Sequence, residues 1–229
     1  MRARSPNVLV WTSTNRCNLC CKFCFGRERR EEFGTSEAKE MISELKRGGV
    51  RHLVFSGGEP LMRKDIYLLA AHAKKCGLRT ILHTNGILVN RRNAARIARS
   101  FDVVNLPVDG ASEKANRKMG RGSLRHTLEV LDLLSGKTNV TVSTVATRMN
   151  AKEIAGIARL LEGRKISKWR VFKFDPNLGA ALKNRRMFEI SGREFASLRK
   201  RAGGAQFISP GGEFGRSYRL VASDGNIGD

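Results

Sequence analysis

Four of the five cysteines in this 229-residue chain lie within one short segment, Cys17-Asn-Leu-Cys20-Cys21-Lys-Phe-Cys24, and Cys76 stands apart. A disulfide framework spreads its cysteines to join distant segments, so this crowding reads as a metal site. Two metal chemistries compete for the thiolates. Zinc would use all four as two back-to-back pairs, but Cys20 and Cys21 are adjacent, and zinc sites ordinarily separate their pairs by a long connection. One short loop can hardly turn both neighbours onto a single tetrahedral ion. The other reading drops Cys20 and leaves Cys17, Cys21 and Cys24 as three ligands of a four-iron cube, with one iron open to a cofactor. Sterics favour the three-thiolate reading.

Further residues of chemical interest follow short apolar runs. In Ser56-Gly57-Gly58-Glu59-Pro60 the glycines let backbone approach a ligand closely, and the carboxylate can receive an ammonium group. His83-Thr84-Asn85-Gly86 and Asp109-Gly110 are polar run ends that in isolation read as ordinary turns. Gly120-Arg121-Gly122 precedes a helix start at Ser123 and offers a guanidinium to a carboxylate. Lys168 and Arg170 flank Trp169, so on an extended strand both cations share one face, as a phosphate-binding wall or as a solvated strand edge.

These segments need a scaffold that brings them to one end. Strands are expected at Val8–Thr12, His52–Ser56, Arg79–His83, Val103–Val108, Asn139–Ala146 and Trp169–Phe174. Helices are expected between them at Ser36–Arg47, Lys64–Cys76, Arg91–Ser100, Leu124–Leu134 and Ala151–Leu161. Strand-then-helix alternation implies parallel strands joined by right-handed crossovers. Six units are too few for a closed eight-fold barrel, so the expected fold is an α/β partial (β/α)6 barrel over residues 1–189. Active sites of barrels sit at the C-terminal ends of the strands, which is where the motifs above fall. Residues 190–229 form a short C-terminal extension, with a helix at Gly192–Arg201 and strands at Ala205–Ser209 and Ser217–Ala222. That extension is a candidate lid, and sequence does not distinguish a natural terminus from a truncated one.

The spacing Cys17-x3-Cys21-x2-Cys24, with Phe23 before the last cysteine, resembles the signature of the radical S-adenosylmethionine (radical SAM) superfamily. The resemblance implies a [4Fe–4S] cluster on Cys17, Cys21 and Cys24, chelated at its open iron by the amino-acid end of S-adenosylmethionine (SAM). Cys20 is then a bystander and Phe23 borders the adenine. Ser56, Gly57, Gly58 and Glu59 match the superfamily's GGEP motif, which binds the SAM amino group, and Thr84, Asn85 and Arg121 become SAM contacts. Later segments resemble one branch, the viperin-like nucleotide dehydratases: Met119-Gly-Arg-Gly122, Ser167-Lys-Trp-Arg-Val-Phe172, Phe188-Glu-Ile-Ser191 with Glu194-Phe195, and Ser217-Tyr218. That branch dehydrates a ribonucleoside triphosphate to its 3′-deoxy-3′,4′-didehydro form and is associated with antiviral defence. It implies Lys168 and Arg170 at the triphosphate and Tyr218 as a late hydrogen or electron donor. An electron donor such as flavodoxin or ferredoxin is a further implied partner. The chain departs from the branch at Thr141 and Ser143, where the family carries Lys and Asn, and at Pro107, where it carries Ser.

Composition sets the outer bounds. The chain is 41% hydrophobic and 28% charged, enough apolar material for a core. No apolar run approaches the roughly 18 residues of a membrane span, and the apolar stretch after the basic start is too short for a signal peptide, so a cytoplasmic protein is expected. Lys and Arg number 43 against 21 Asp and Glu, a formal charge of +22. A surplus of that size favours an anionic partner, whether a nucleotide substrate or nucleic acid. RNA modification by a radical SAM enzyme and a non-catalytic zinc or nucleic-acid-binding protein are the alternatives.

Overall fold

A computed structural model describes residues 7–24, 31–177, 179–209, 218–223 and 227–228. Six parallel strands run in sequence order across a sheet: β1 (Val8–Thr14), β2 (His52–Gly57), β3 (Arg79–His83), β4 (Val103–Pro107), β5 (Asn139–Ala146) and β6 (Lys168–Lys173). The helices between them are α1 (Thr35–Arg47), α2 (Ile66–Lys75), α3 (Ala94–Ser100), α4 (Glu113–Lys118), α5 (Leu124–Leu134) and α6 (Ile154–Leu161). Then come the short α7 (Gly179–Lys183), α8 (Arg185–Phe188) and α9 (Gly192–Leu198). The strand β7 (Gln206–Ile208) extends the sheet beyond β6, parallel to it. At the other edge β8 (Tyr218–Val221) runs parallel to β1, and β9 (Ile227–Gly228) pairs antiparallel with β8. The α/β half-barrel expected from the alternation is the fold observed.

Register places an apolar core on one side of the sheet and a polar patch on the other. Phe55 pairs with Leu82, Leu82 with Val104, Val104 with Val140 and Val142 with Trp169. All of these sit in the main core with Ile42 of α1, Leu69 of α2 and Ile157 of α6. Side chains alternate along a strand, so the intervening positions face the concave side. There His83 pairs with Asn105, Asn105 with Thr141, Ser143 with Arg170 and Arg170 with Gln206. Helices α1, α2, α3, α5 and α6 cover the convex face, whereas α7 and α8 pack at the β5 end of the other side, where Ala181 and Phe188 meet Phe23, Phe174 and Val145.

Local differences from expectation have simple causes. The helix expected from Lys64 starts at Ile66 because Pro60–Met62 forms a 3-10 turn and Asp65 is drawn to Arg63. The helix expected at Gly192–Arg201 opens on Ser191, whose hydroxyl accepts from the Glu194 N–H, and tightens to 3-10 geometry after Leu198. The segment considered as a lid supplies β8, while Ser217 lies outside the described residues. Among the described residues no helix is long and apolar enough to cross a membrane.

Candidate active site

The loops after β1, β2, β3 and β4 converge on the cysteine segment, and backbone fixes the first contact. The N–H of Gly58 donates to the Thr14 carbonyl and that of Glu59 to the Arg16 carbonyl, both at 2.7 Å. A Cβ at position 58 would lie 2.1 Å from the Arg16 oxygen, and one at 57, where φ is +121°, would lie 2.4 Å from the Thr14 oxygen. The paired glycines therefore let the β2 loop lie flat against the chain entering Cys17. Ser56 contributes its carbonyl, which accepts from the Ser13 hydroxyl.

Glu59 is fully buried. Its carboxylate accepts from the Thr84 hydroxyl at 2.7 Å, the Asn85 N–H at 2.7 Å and the Leu61 N–H at 3.1 Å. Burial pushes its carboxyl up, against the pull of those three donors. Glu59 and Thr84 thus clamp the β2 and β3 loops together. The Asn85 amide, beyond them, donates to Asn18 Oδ1 at 2.7 Å and so reaches the cysteine segment itself.

Arg121 closes the site from the β4 side. Its Nε donates to Asp109 at 2.6 Å, while the other oxygen of that fully buried carboxylate accepts from the Val145 N–H. The guanidinium lies 4.9 Å from the Phe23 ring centroid and its Nη1 is 3.8 Å from Cys21 Sγ. Cys21 is buried and its thiol donates to the Gly120 carbonyl. Burial pushes that thiol up while Arg121 pulls it down. Gly120, at φ +78°, passes so near that a Cβ would meet the Cys21 Cα at 3.2 Å. Phe23 packs with Phe188, Phe174 and Met119 in a small second core that anchors the loop.

Cys17 and Cys20 are exposed and Cys24 is half-buried. Among the described residues, no three His, Cys, Asp or Glu side chains gather about one point as ligands of a single ion. A single-ion zinc site needs that convergence, whereas thiolates of an iron–sulfur cube each take a different iron. The donor set fits the cluster: three thiols on one loop, one of them backed by a cation.

The structure brings Cys21, Phe23, Glu59, Thr84, Asn85 and Arg121 together, and among the described residues no hydrogen bond or ion pair ties Lys168 or Arg170 to them. Arg170 is half-buried on the concave face, while Lys168, nearer the N-terminal end of β6, is exposed. Thr141 Oγ1 and Ser143 Oγ are engaged with Asn105, by its Oδ1 and Nδ2 respectively. Tyr218 pairs with Val8 in register, and its backbone alone is described. Sequence reasoning missed Asn150, which joins the Asp109 and Val145 carbonyls to Thr147, and Asn116, which accepts from the Asp109 N–H and donates to the Gly122 carbonyl. Buried asparagines among loops carry no spacing signature.

A family model described as the Radical SAM superfamily matches residues 11–161. The chain is 34% identical over 166 residues to an Fe-coproporphyrin III synthase from Methanosarcina barkeri, covering 69% of this chain and 42% of that protein. It is 33% identical over 163 residues to mycofactocin maturase MftC from Mycolicibacterium smegmatis, covering 68% and 42%. The chain thus spans less than half the length of these relatives. Its fold matches Streptococcus suis SuiB, solved with precursor peptide SuiA, at a TM-score of 0.77 and 18% identity, over 98% of this chain and 59% of that one.

Proposed function

Because the chain belongs to the radical SAM superfamily, whose cofactors are a [4Fe–4S] cluster and SAM, we propose that it cleaves SAM reductively and abstracts hydrogen from a substrate on the concave face. When bound, the cluster delivers the electron that splits SAM into methionine and a 5′-deoxyadenosyl radical. Cys17, Cys21 and Cys24 hold it, and Cys20 takes no part. Phe23 and Asn85 border SAM, with Arg121 toward its carboxylate. The Ser56–Glu59 backbone faces its amino group. Glu59 and Thr84 act mainly by holding the loops in place. The observation that carries this reading is the Asp109–Arg121–Cys21–Phe23 junction, which ties the β4 side to the cysteine loop with a guanidinium aimed along it.

The substrate is the finer question. Dehydration of a ribonucleoside triphosphate is favoured by one observation, that Lys168 and Arg170 share a strand face. The relatives' names point instead to Fe-coproporphyrin III and heme synthesis and to mycofactocin maturation. On the nucleotide reading Tyr218 returns a hydrogen or electron late in the reaction, and a flavodoxin or ferredoxin supplies reducing equivalents. Anaerobic protein with dithionite and SAM should be given CTP, UTP, GTP and ATP, Fe-coproporphyrin III and a precursor peptide such as SuiA in turn. A compound that raises 5′-deoxyadenosine above the background identifies the substrate class. No 5′-deoxyadenosine under any condition would refute SAM cleavage.

A further inference from the structure

Two polar atoms on the concave face are buried without a hydrogen-bond partner, Arg170 Nε and Gln206 Oε1. They are neighbours, because Arg170 and Gln206 pair in register across β6 and β7. Buried polar groups in folded proteins are nearly always satisfied; here the Arg170 N–H is a donor without an acceptor, and the Gln206 amide beside it can turn to present either a donor or an acceptor. No carboxylate of the strands meets this cation: the described concave positions of β1 to β7 include no Asp or Glu, but do include His52, Arg79, His83 and Lys168 beside Arg170. Among the described residues Arg170 forms no ion pair, unlike Arg63 and Arg121, whose buried guanidinium groups are each matched to an aspartate.

We propose that Arg170 and Gln206, backed by His83, form a subsite that binds one carboxylate or phosphate group of the substrate. The inference rests on the reading above that the concave face holds substrate, and it narrows that reading to an anionic one. Arg170 offers paired N–H donors in the planar geometry that an oxyanion accepts. The Gln206 amide turns about its last torsion to present N–H as readily as C=O. His83, three strands away along the sheet, is brought within electrostatic reach of Arg170 across the curved face. Burial, with the charge of Arg170 adding to it, pushes its imidazole down to about 4. A neutral ring offers one N–H to the anion and adds no charge of its own. Lys168 stands at the exposed end of the strand, outside this group.

Titration calorimetry of the anaerobic, cluster-loaded protein tests the proposal, with glutarate and inorganic pyrophosphate as probes and SAM as a parallel ligand. One probe should bind with one-to-one stoichiometry, glutarate indicating a carboxylate and pyrophosphate a phosphate. Arg170→Gln should weaken that binding by about tenfold or more, the scale of a lost charge-assisted hydrogen bond. Gln206→Leu, which leaves the charge in place, should weaken it less but measurably, and keeps the test open should the arginine variant fold poorly. Arg79→Gln removes a cation lower on the same face and should change affinity by no more than about twofold. Binding of neither probe by the parent, or equal losses in the Arg79 and Arg170 variants, overturns the subsite. Failure of the parent to bind SAM refutes the cofactor site itself and is read separately.

Discussion

At the scale of single residues the site works through groups that hold other groups. Asp109 has no exposed surface of its own, yet it fixes the Arg121 guanidinium above Phe23 and beside Cys21. Its place after a strand was visible in the sequence, but its partner was not, because the ion pair spans a turn and a helix whose path sequence does not specify. Glu59 is similar: the motif marks its position, but its engagement with Thr84 and the Asn85 N–H depends on where the next strand ends. Two predictions belong here. Cys17→Ala, Cys21→Ala and Cys24→Ala should each abolish bound iron, and Cys20→Ala should retain it, as measured by iron and sulfide analysis after anaerobic reconstitution. Equal loss in the Cys20 variant would indicate a four-cysteine site. Glu59→Gln turns an amide N–H toward a donor, so it should cost on the order of 1–3 kcal/mol in urea unfolding and weaken SAM binding while iron content is kept. A variant of parental stability would mean that the clamp is not formed.

At the scale of elements, the six strand–helix units were legible because each strand is a short apolar run and each helix has an amphipathic period. Strand order along the sheet followed from parallel crossovers. What remained hidden was edge choice. Nothing in the composition of the last residues says that β8 lies beside β1, at the opposite edge from β7. The short α4, α7 and α8 were also unseen, being too brief for a periodic signal. The glycines of the β2 loop were read as granting a ligand close approach. Their nearest neighbour is the chain itself, since the Arg16 carbonyl occupies the space of a Cβ at position 58. Gly58→Ala should therefore separate the two loops, lowering stability by roughly 2 kcal/mol or more and reducing cluster retention. Unfolding curves with iron analysis would check both, and an alanine variant that folds and loads like the parent would contradict the close contact.

For the whole molecule, one face of the sheet packs an apolar core under helices, and the concave side carries a polar, partly cationic patch among apolar positions. The +22 charge raised the expectation of an anionic partner, but sequence could not say that Arg170, one cation of that surplus, lies within electrostatic reach of His83. This arrangement makes stability depend on acid. Above the ordinary imidazole value of 6.5 His83 is neutral whether folded or unfolded. Between 6.5 and about 4 the unfolded chain binds a proton that the folded chain refuses, so stability falls as pH falls, levelling off below that range. His52, pushed down by burial and by Arg79 and Arg51, acts in the same direction. Urea midpoints taken from pH 7 to pH 4.5 should therefore decline, with a shallower slope in His83→Asn. An unchanged slope in that variant would place the ring in solvent.

The central claim is that the cysteine loop and the loops clamped against it form one cluster-and-SAM site. Electron paramagnetic resonance of the anaerobically reconstituted, dithionite-reduced protein, recorded with and without SAM, tests it most directly. The expected result is about four irons per chain, a reduced-cluster signal whose shape changes when SAM is added, and loss of that change in Arg121→Leu. Zinc in place of iron, or an iron–sulfur signal indifferent to SAM, would contradict the claim.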